Sequence, residues 1–509
     1  MVRIPLKSAK HHFGASVSRG SRPYNEDAYQ AGVIEVPAFA KRPPISLTRR
    51  RSGNETNGEG TSAQSASGDP QVFYFGVFDG HGGAECSGFL RERLHEYIEN
   101  TATDFEMQSS LQKASGQKKE VAAEGHERVL KLGKEALEPI QTTKKTDTRT
   151  EGEPRDGRPE GAREQSHPPY PGDPPLIQEA NKTKMVAMEK KLIQNWKQLV
   201  GGYFRRFKPA YFSLYGGYQA LGEGSESLKA SGKDTGCGAA IEEIMTYAFL
   251  KADYDFVSAQ AAKQDQNDDQ TKAERPLNEE EILGKPHQHA REIGGPKRFK
   301  GGSTCTIAML STPSPTPFWN PATPSSMLVA HVGDTRVIIC STVSGAGIPL
   351  TSDHHPSSPV ESNRLIRYAA TFVTDSFGEE RISGLANTRA FGDIASKRLG
   401  VSAEPEINRV ELGAAQYSFV VMVSDGVSGT LSDQEIVDIV KEAKTPEQAA
   451  RDVVSFATEV STEGDNATCL VVRLGGWERR QEGGTGSIGT RESRNWKREE
   501  ASGPRNRRQ

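Results

Sequence analysis

The sequence predicts an α+β fold built on antiparallel sheets, and three observations support this prediction. Val72 to Phe78 is an uninterrupted apolar run, short enough for a strand that is buried on both faces. Met327 to Cys340 has the pattern of strand, turn and strand around Gly333, as antiparallel neighbours do. Pro446 to Val460 carries its apolar residues at helical spacing. Alternating strands and helices would also allow a parallel doubly wound sheet, but the turn at Gly333 favours antiparallel pairing.

The remaining elements follow the same two patterns. Alternating or short apolar runs predict strands, and apolar residues three or four apart, such as Leu90 and Leu94, predict helices. The further strands predicted are His12 to Ser18, Thr304 to Leu310 and Asn466 to Leu474. The further helices predicted are one that ends near Glu99, Met185 to Tyr211, Ala239 to Ala261 and Gln434 to Ala443.

Composition separates a folded core from polar inserts. The chain has 509 residues, of which 34% are hydrophobic, and a mean hydropathy of -0.63, which is polar for a chain folded throughout. The stretches around the strands are normally apolar, so the shortage of hydrophobic residues lies in other parts of the chain. We predict one domain at residues 10–475, with disordered inserts at 42–70, 101–184 and 262–298, and a disordered charged tail at 476–509.

Charge and cysteine content limit the partners and the compartment. The formal net charge is -3, without the basic surplus typical of nucleic-acid-binding proteins, so no nucleic-acid partner is expected. Five cysteines without CxxC spacing favour an intracellular compartment, cytoplasmic or nuclear, and no disulfide framework. No apolar run is long enough for a transmembrane helix. The first 25 residues contain bases and no acid, so a mitochondrial location is the alternative.

Five short acidic motifs are spread along the chain. A carboxylate at the end of a buried strand is costly unless something neutralises it. Several such ends meeting at one place would form a set of oxygen ligands for a hard divalent cation. The residues alone therefore suggest a metal-dependent hydrolase that acts on phosphate. The motifs are Arg22-Pro-Tyr-Asn-Glu26-Asp27, Phe78-Asp79-Gly80-His81-Gly82-Gly83, Val332-Gly333-Asp334-Thr335-Arg336, Ser424-Asp425-Gly426 and Gly464-Asp465-Asn466.

Three further stretches complete an ordered set: Gly301 to Thr304, Ser352-Asp353-His354, and Leu385 to Asp393. Taken together, the motifs resemble those of the metal-dependent protein serine/threonine phosphatases, the PPM or type 2C family, over residues 10–475 without the inserts. The resemblance implies a four-layer α-β-β-α sandwich of two antiparallel sheets flanked by helices. Its metals would lie at one end, beside a flap formed by Glu361 to Ala403.

The resemblance also implies the reaction and the metal ligands. A hydroxide that bridges two Mg2+ or Mn2+ ions would attack phosphoserine or phosphothreonine directly. Asp27 would orient metal-bound water from the outer shell. Asp334, with Asp425, would bind a weaker third ion, although Val427-Ser428-Gly429 lacks an acid that many relatives carry there. The ligands of the two main ions would be Asp79 on both, Asp425 and Asp465 on the first, and Glu26 and the carbonyl of Gly80 on the second.

Two residues would act on the substrate itself. Arg22 lies four residues before Glu26 and would hold the phosphate, because a guanidinium fork suits phosphate oxygens. His81 would protonate the departing serine or threonine oxygen as general acid. The resemblance implies phosphorylated proteins as substrates, and a monomeric enzyme is expected.

Structural alternatives exist for these residues. Asp79-Gly80 and Gly333-Asp334 are also common turn sequences, and His81 could be a turn histidine. Arg22 could merely pair with Glu26 on the surface. Among the residues kept structural, Asp353 and His354 are assigned to the start of the following helix, Arg389 and Asp393 to bracing a loop, and Gly301 to Thr304 to a strand entry.

Two other functions remain as alternatives. In a cysteine-based phosphatase five residues separate the cysteine from the arginine, and Cys86 and Arg91 are one residue too close for that signature. A catalytically inactive relative that acts as a scaffold is the second alternative. The intact set Asp79, Asp425 and Asp465 argues against it.

Overall fold

The computed structural model describes residues 11–41, 69–111, 179–200, 241–263, 293–366, 373–374, 380–382, 384–461, 464–481 and 487–502. The other parts of the predicted inserts and tail lie outside the described residues. In chain order the strands are β1 (Phe13–Ser18), β2 (Ala28–Ile34), β3 (Val72–Phe78), β4 (Gly80–His81), β5 (Gly302–Ser303), β6 (Cys305–Ser311), β7 (Ser325–Val332), β8 (Arg336–Ser341), β9 (Gly347–Pro349), β10 (Val373–Thr374), β11 (Glu380–Arg381), β12 (Phe391–Gly392), β13 (Glu406–Leu412), β14 (Tyr417–Val423) and β15 (Ala467–Arg473).

The described helices are mostly those that the apolar spacing predicted. The helix predicted over Met185 to Tyr211 is found at Glu179–Val200, and residues 201–211 lie outside the described part. Two short 3-10 turns, Ser396–Leu399 and Trp477–Arg479, accompany the α-helices. In chain order the α-helices are α1 (Glu85–Asp104), α2 (Glu179–Val200), α3 (Ile241–Ala261), α4 (Pro359–Ile366), α5 (Asp425–Ser428), α6 (Asp433–Glu442), α7 (Pro446–Val460) and α8 (Ser487–Ser502).

Two five-stranded antiparallel sheets form the centre of the fold. The first has the order β1-β15-β14-β8-β9, and the second has the order β13-β7-β6-β3-β2. Their facing sides meet in one apolar cluster, to which Phe75 and Met327 contribute from the second sheet and Val420 and Leu470 from the first. This burial on both faces explains why strands such as β3 are continuously apolar.

Helices cover the outer face of each sheet. On the second sheet, α1 and α3 pack through residues such as Leu90, Leu94 and Phe249. On the first sheet, α6 and α7 pack through residues such as Ile436 and Val453. A capping box between the hydroxyl of Ser432 and the amide of Glu435 starts α6, as the sequence Ser-x-x-Glu favours. The fold is the predicted four-layer α-β-β-α sandwich.

Ordered segments extend into the predicted inserts at 101–184 and 262–298. Instead of ending near Glu99, helix α1 runs to Asp104, and Phe105 beyond it is buried against the Tyr247 ring at 5.1 Å. At the other end of the 101–184 insert, helix α2 already begins at Glu179. The ends of the 262–298 insert are also pinned, because Lys263 donates to the Ile293 carbonyl at 2.6 Å. Average composition over a long window hides such terminal contacts.

The tail predicted to be disordered is structured over much of its described length. Trp477 is buried against Phe419, and Arg480 stacks on the Trp477 ring at 4.1 Å. Helix α8 then lies on α6 and α7, where Lys497 donates to the Glu435 carboxylate at 2.8 Å. The prediction failed because paired charges, and not an apolar stripe, hold this helix in place.

Candidate active site

The ends of three buried strands meet at one end of the sandwich. Asp79 follows β3 directly, Asp334 follows β7 after one glycine, and Asp425 follows β14 after Ser424. Antiparallel pairing also places Asp27, just before β2, beside the end of β3, since Ala28 is opposite Phe78. The alternation of strand directions therefore brings distant carboxylates to the same edge of the fold.

Three of these carboxylates form one compact group. Oxygen atoms of Asp79, Asp334 and Asp425 lie within 4.8 Å of one another. Burial, and then the charge of Asp425, raises the pKa of Asp79 well above its usual range. Burial, and then the charge of Asp334, raises the pKa of Asp425 to about 8. Such a group needs protons or a cation to be stable.

Unpartnered oxygen atoms in the group fit the ligand set of a divalent cation. In the described part of the chain, Oδ1 of Asp27 and Oδ1 of Asp334 are buried without a hydrogen-bond partner. The second oxygen of Asp27 accepts from the Thr468 hydroxyl at 2.7 Å. Burial raises the pKa of Asp27 to about 6. Free carboxylate oxygens that face one another are the donors that Mg2+ and Mn2+ prefer.

Asn466 holds the N-terminal loop against this group. Its Oδ1 accepts from the backbone N–H of Glu26 at 2.7 Å, and its Nδ2 donates to the carbonyls of Arg19 at 3.0 Å and Tyr24 at 3.2 Å. The loop that carries Arg22 and Glu26 is thereby tied to the segment just before β15. The two ends of the chain build one wall of the site.

Arg22 contacts a carboxylate of the site, and it does not pair with Glu26 as the alternative had it. Its guanidinium lies 2.7 Å from Oδ2 of Asp465, and the arginine side chain is 54% exposed. Glu26 is half-buried near the same rim. A guanidinium at an open rim can rotate toward an incoming phosphate without a large desolvation cost.

Two glycines allow the backbone to come close at this place. A Cβ on Gly80 would lie 2.4 Å from the carbonyl of Glu26, so no side chain fits there. Gly333 has φ +109° and faces the Thr304 side chain, where a Cβ would lie 2.4 Å away. Both positions need glycine, since one lacks space and the other has a backbone that favours it.

His81 is paired with a buried carboxylate. Its Nε2 lies 2.9 and 3.0 Å from the two oxygens of Asp393, whose side chain is 5% exposed. Burial alone would lower the pKa of His81, but the hydrogen bond and charge of Asp393 outweigh it, so the pKa is raised. The ring therefore keeps its proton more readily than an ordinary histidine does.

The comparisons with known proteins agree on one family. The model of the family described as protein phosphatase 2C matches residues 233–466. Protein phosphatase 2C homolog 4 of Schizosaccharomyces pombe is 26% identical over a match that covers 94% of this chain and 84% of that protein. The family model and this relative support a phosphatase of the protein phosphatase 2C type. The chain is accordingly a serine/threonine protein phosphatase.

Other relatives of this protein phosphatase 2C match shorter stretches. Mitochondrial protein phosphatase 1K of Xenopus laevis is 34% identical over 35% of this chain and 44% of its own length, so the chain spans less than half of that relative. A serine-threonine phosphatase 2C from Toxoplasma gondii is similar in structure, with a TM-score of 0.42, 13% identity, and coverage of 91% of this chain and 94% of that one. No helix in the described part of the phosphatase is apolar enough over a sufficient length to cross a membrane.

The structure brings some of the predicted site residues of the phosphatase into contact and leaves others at the rim. Asp79, Asp334 and Asp425 share the central group, and Asp27 lies beside it. Asp465 lies at the rim with Arg22, and the backbone of Glu26 contacts Gly80 and Asn466. The roles given to these residues remain predictions.

Sequence reasoning missed the contacts of four residues in this phosphatase. Asp393 was assigned only to bracing a loop, and it also pairs with His81. Asn387 donates to Oδ2 of Asp334 at 2.9 Å, and His355 lies 3.7 Å from the same oxygen. Asn466 was quoted in a motif without a role. Each of the four lies in a motif quoted above or directly beside one, which was the available signal.

The residues kept structural have structural contacts. Arg389 donates to Oε1 of Glu361 at 2.6 Å and to the Glu404 carbonyl at 3.0 Å, which braces the segment beside the site. His354 does not begin a helix, because α4 starts only at Pro359; it is buried and its Nδ1 accepts from the N–H of Gly333 at 3.0 Å. Asp353 lies 3.4 Å from Arg336.

A cysteine nucleophile does not fit the geometry. Cys86 is fully buried on α1, and burial raises the pKa of its thiol well above the usual range. Arg91 lies on the same helix and pairs with Glu92 at 3.0 Å. A buried thiol that stays protonated is a poor nucleophile. Among the described residues, the cysteines are buried and free: Cys86, Cys305, Cys340 and Cys469.

Proposed function

We propose that this phosphatase hydrolyses phosphoserine and phosphothreonine in protein substrates by direct attack of a hydroxide that bridges two divalent cations, with no phosphoenzyme intermediate. The observation that carries the proposal is the group of Asp79, Asp334 and Asp425, whose oxygens lie within 4.8 Å of one another. The match to the family supports metal dependence, and Mg2+ or Mn2+ is the cation that such oxygens favour.

The resemblance to the family suggests which residues would hold the cations. Asp79 would contact both ions, because a carboxylate has two oxygens and the charges of Asp425, Asp27 and Asp334 all act on Asp79. Asp425 and Asp465 would also coordinate the first ion. Glu26 and the Gly80 carbonyl would also coordinate the second. Asp27 would orient water, and Asp334 would hold a third ion with Asp425. Bound ions would lower the pKa of water and neutralise phosphoryl oxygens.

Two side chains would act on the phosphorylated residue. Arg22 would turn from Asp465 toward the phosphate and hold two of its oxygens. His81 would protonate the serine or threonine oxygen as its bond to phosphorus breaks. Since Nε2 is held by Asp393, Nδ1 is the ring atom that would give the proton. His81 would then be neutral and would regain a proton from solvent.

The biological setting is part of the proposal. Phosphorylated proteins would be the substrates, and the enzyme would act as a monomer. An intracellular compartment, cytoplasmic or nuclear, fits the four buried free cysteines. A mitochondrial location is the alternative, supported by the basic first 25 residues and by the name of the Xenopus laevis relative.

The decisive experiment compares hydrolysis of a phosphothreonine peptide with and without Mn2+. The wild type, Asp425→Asn and Asp452→Asn would be assayed, since Asp452 is an exposed carboxylate on α7 outside the site. Mn2+ binding would be measured by calorimetry on the same samples. We expect metal-dependent turnover in the wild type and Asp452→Asn, and loss of turnover with weakened Mn2+ binding in Asp425→Asn.

Other outcomes would overturn the proposal. Turnover that continues in a chelator would exclude a metal-dependent reaction. A wild type that binds Mn2+ but does not turn over would favour the inactive scaffold. Full activity in Asp425→Asn would show that the three-carboxylate group is not the site of hydrolysis.

A further inference from the structure

A buried ion pair outside the carboxylate group contacts the segment that carries Asp393. Asp253 on α3 and Lys397 are 0% and 1% exposed, and Nζ of Lys397 lies 2.5 Å from Oδ2 of Asp253. This pair takes part in neither metal binding nor phosphate binding. Both of its residues nevertheless reach toward the active site.

The contacts of the pair converge on three consecutive residues. Oδ1 of Asp253 accepts from the N–H of Gly392 at 2.9 Å. Lys397 also donates to the carbonyl of Ala390 at 2.8 Å. The pair therefore fixes the backbone on both sides of Phe391, directly before Asp393.

Asp393 itself is held in an uncommon conformation. Its φ is +44°, in the left-handed region, and its N–H donates to the Gly301 carbonyl at 2.9 Å. Its carboxylate lies over Gly302, where a Cβ would come within 2.3 Å of Oδ2. A residue keeps such a backbone only when its surroundings determine it. These surroundings aim the carboxylate at Nε2 of His81.

We propose that the Asp253–Lys397 pair positions Asp393, and that Asp393 determines which ring nitrogen of His81 faces the substrate. This inference rests on the role of His81 as general acid in the proposed function. Asp393 accepts from Nε2–H, which leaves Nδ1 as the nitrogen that points away from the carboxylate. Asp253, Lys397 and Asp393 are thus positioning residues, and His81 alone meets the leaving oxygen.

The energetics of buried ion pairs favour positioning over stabilisation. Removing two charges from water costs about as much as their attraction returns, so such a pair is a weak source of stability. The pair is better explained by the geometry that it imposes on residues 390–392. Helix α3, which carries Asp253, also packs against α1, the helix that begins four residues after His81. The helix layer formed by α1 and α3 therefore supports both His81 and Asp393.

The test uses two substrates that differ in their need for a general acid. A phosphothreonine peptide has a strongly basic leaving oxygen that must be protonated, whereas 4-nitrophenyl phosphate has a leaving group that departs without a proton. We expect Asp393→Asn to lower peptide turnover about 100-fold and aryl phosphate turnover by less than about 3-fold. Asp253→Asn should give a loss of about 10-fold with the same selectivity.

A matched control comes from a second buried pair on the opposite helix layer. Lys441 lies 2.6 Å from Asp438 on α6, and their side chains are 2% and 3% exposed. Asp438→Asn should leave the ratio of the two turnover rates unchanged. The double variant Asp253→Leu with Lys397→Met replaces the charges by apolar groups and keeps the test valid if Asp253→Asn does not fold. It should show the same selective loss as Asp253→Asn.

The outcomes separate this inference from the proposed function. His81→Ala must itself lose peptide turnover selectively; if it does not, the general-acid role fails. If His81→Ala is selective but Asp393→Asn lowers both substrates equally, or not at all, the positioning role fails. If Asp393→Asn lowers peptide turnover selectively and neither Asp253 variant does so, the ion pair does not position Asp393. Mn2+ affinity measured by calorimetry should stay within about 3-fold in all of these variants.

Discussion

Two buried sites of this phosphatase, the single carboxylate of Glu361 and the carboxylate group of the active site, differ in what neutralises them. Glu361 is 1% exposed, and its oxygens accept from Arg364 at 2.7 Å and from Arg389 at 2.6 Å. Burial alone would raise the pKa of Glu361, but the charges of the two arginines hold this pKa well below its usual range. The protein itself supplies the cations at this site.

In the carboxylate group of the active site, Asp79 and Asp425 have the opposite electrostatics. Asp79 and Asp425 face each other and Asp334, and burial with mutual repulsion raises the pKa of both Asp79 and Asp425. The fold is able to surround a buried carboxylate with arginines, as it does for Glu361. The comparison therefore teaches that the second group is arranged for a cation from solution.

The largest expected effect is on catalysis. Asp79→Ala removes a ligand that both metal ions would share, so turnover should fall about 1,000-fold, or about 4 kcal/mol in activation free energy. Steady-state rates on a phosphothreonine peptide with Mn2+ would measure it. Glu361→Ala, at the other site, should retain turnover in the fraction that folds. If Asp79→Ala keeps more than a few percent of activity, the shared-ligand assignment is wrong.

The second effect is on folding stability. Glu361→Gln leaves two partly buried guanidinium groups without their counter-charge, so the free energy of unfolding should fall by about 3 kcal/mol. Denaturant unfolding would measure it. Glu447→Gln, at an exposed glutamate paired with Arg451, is the matched control and should change stability by less than about 0.5 kcal/mol. Equal losses of stability in the two variants would show that Glu361 contributes no more to folding than an exposed, paired glutamate does.

The third effect is the response to metal. A cation present at 100 times its Kd should stabilise the folded protein by about 2.7 kcal/mol for each site. Asp425→Asn should melt at a higher temperature than the wild type in a chelator, because it relieves repulsion, and should gain less from Mn2+. Thermal melts of both proteins, in a chelator and with Mn2+, would show whether the order of their melting temperatures reverses. A metal-free Asp425→Asn that is less stable than the wild type would contradict the repulsion.

The smallest effect is the pH dependence of the metal-free protein. The pKa of Asp425 is raised to about 8, so the folded state binds more protons than the unfolded state at neutral pH, and stability should fall as pH rises from about 4 to about 8. The pKa of Glu361 is lowered, so its contribution is present above its usual pKa and should be lost as pH falls below about 4.5.

Melting temperatures measured across this range in a chelator should therefore pass through a maximum at mildly acidic pH. Each group that is fully linked would contribute up to about 1.4 kcal/mol per pH unit. Adding Mn2+ should remove the decline on the alkaline side and leave the acid side unchanged. A decline that persists with Mn2+ would have to come from groups other than the metal ligands.

The sequence predicted those parts of the fold in which one local pattern decides the outcome. The strand β3 is buried on both faces and reads as an apolar run, and helix α7 has an apolar face and begins at Pro446 as predicted. The acidic residues were found because they follow such runs directly. Asp79 and Asp425 needed no knowledge of the fold to be selected, only the end of an apolar run and the cost of burying a charge, whereas Asp334 was selected from the motif around Gly333.

Contacts between distant segments were beyond local patterns. His81 and Asp393 are 312 positions apart, and nothing near either residue indicates the other. Asp253 lies in a stretch that reads as an ordinary helix, and its role depends on Lys397, 144 positions later. Helix α8 was missed because its contacts are charges on other helices, such as Glu435 and Glu459. Such pairings depend on topology, which composition and periodicity do not encode.

The pairing of the first and last strands of the sandwich has a consequence for biosynthesis. Strand β1 is hydrogen-bonded to β15, and Arg22 meets Asp465 across 443 positions of sequence. Contacts of such long separation form late, because a large loop must close before they contribute. A growing chain on the ribosome therefore carries most of its carboxylates without a working site. A complete site would therefore require that β15 insert between β1 and β14.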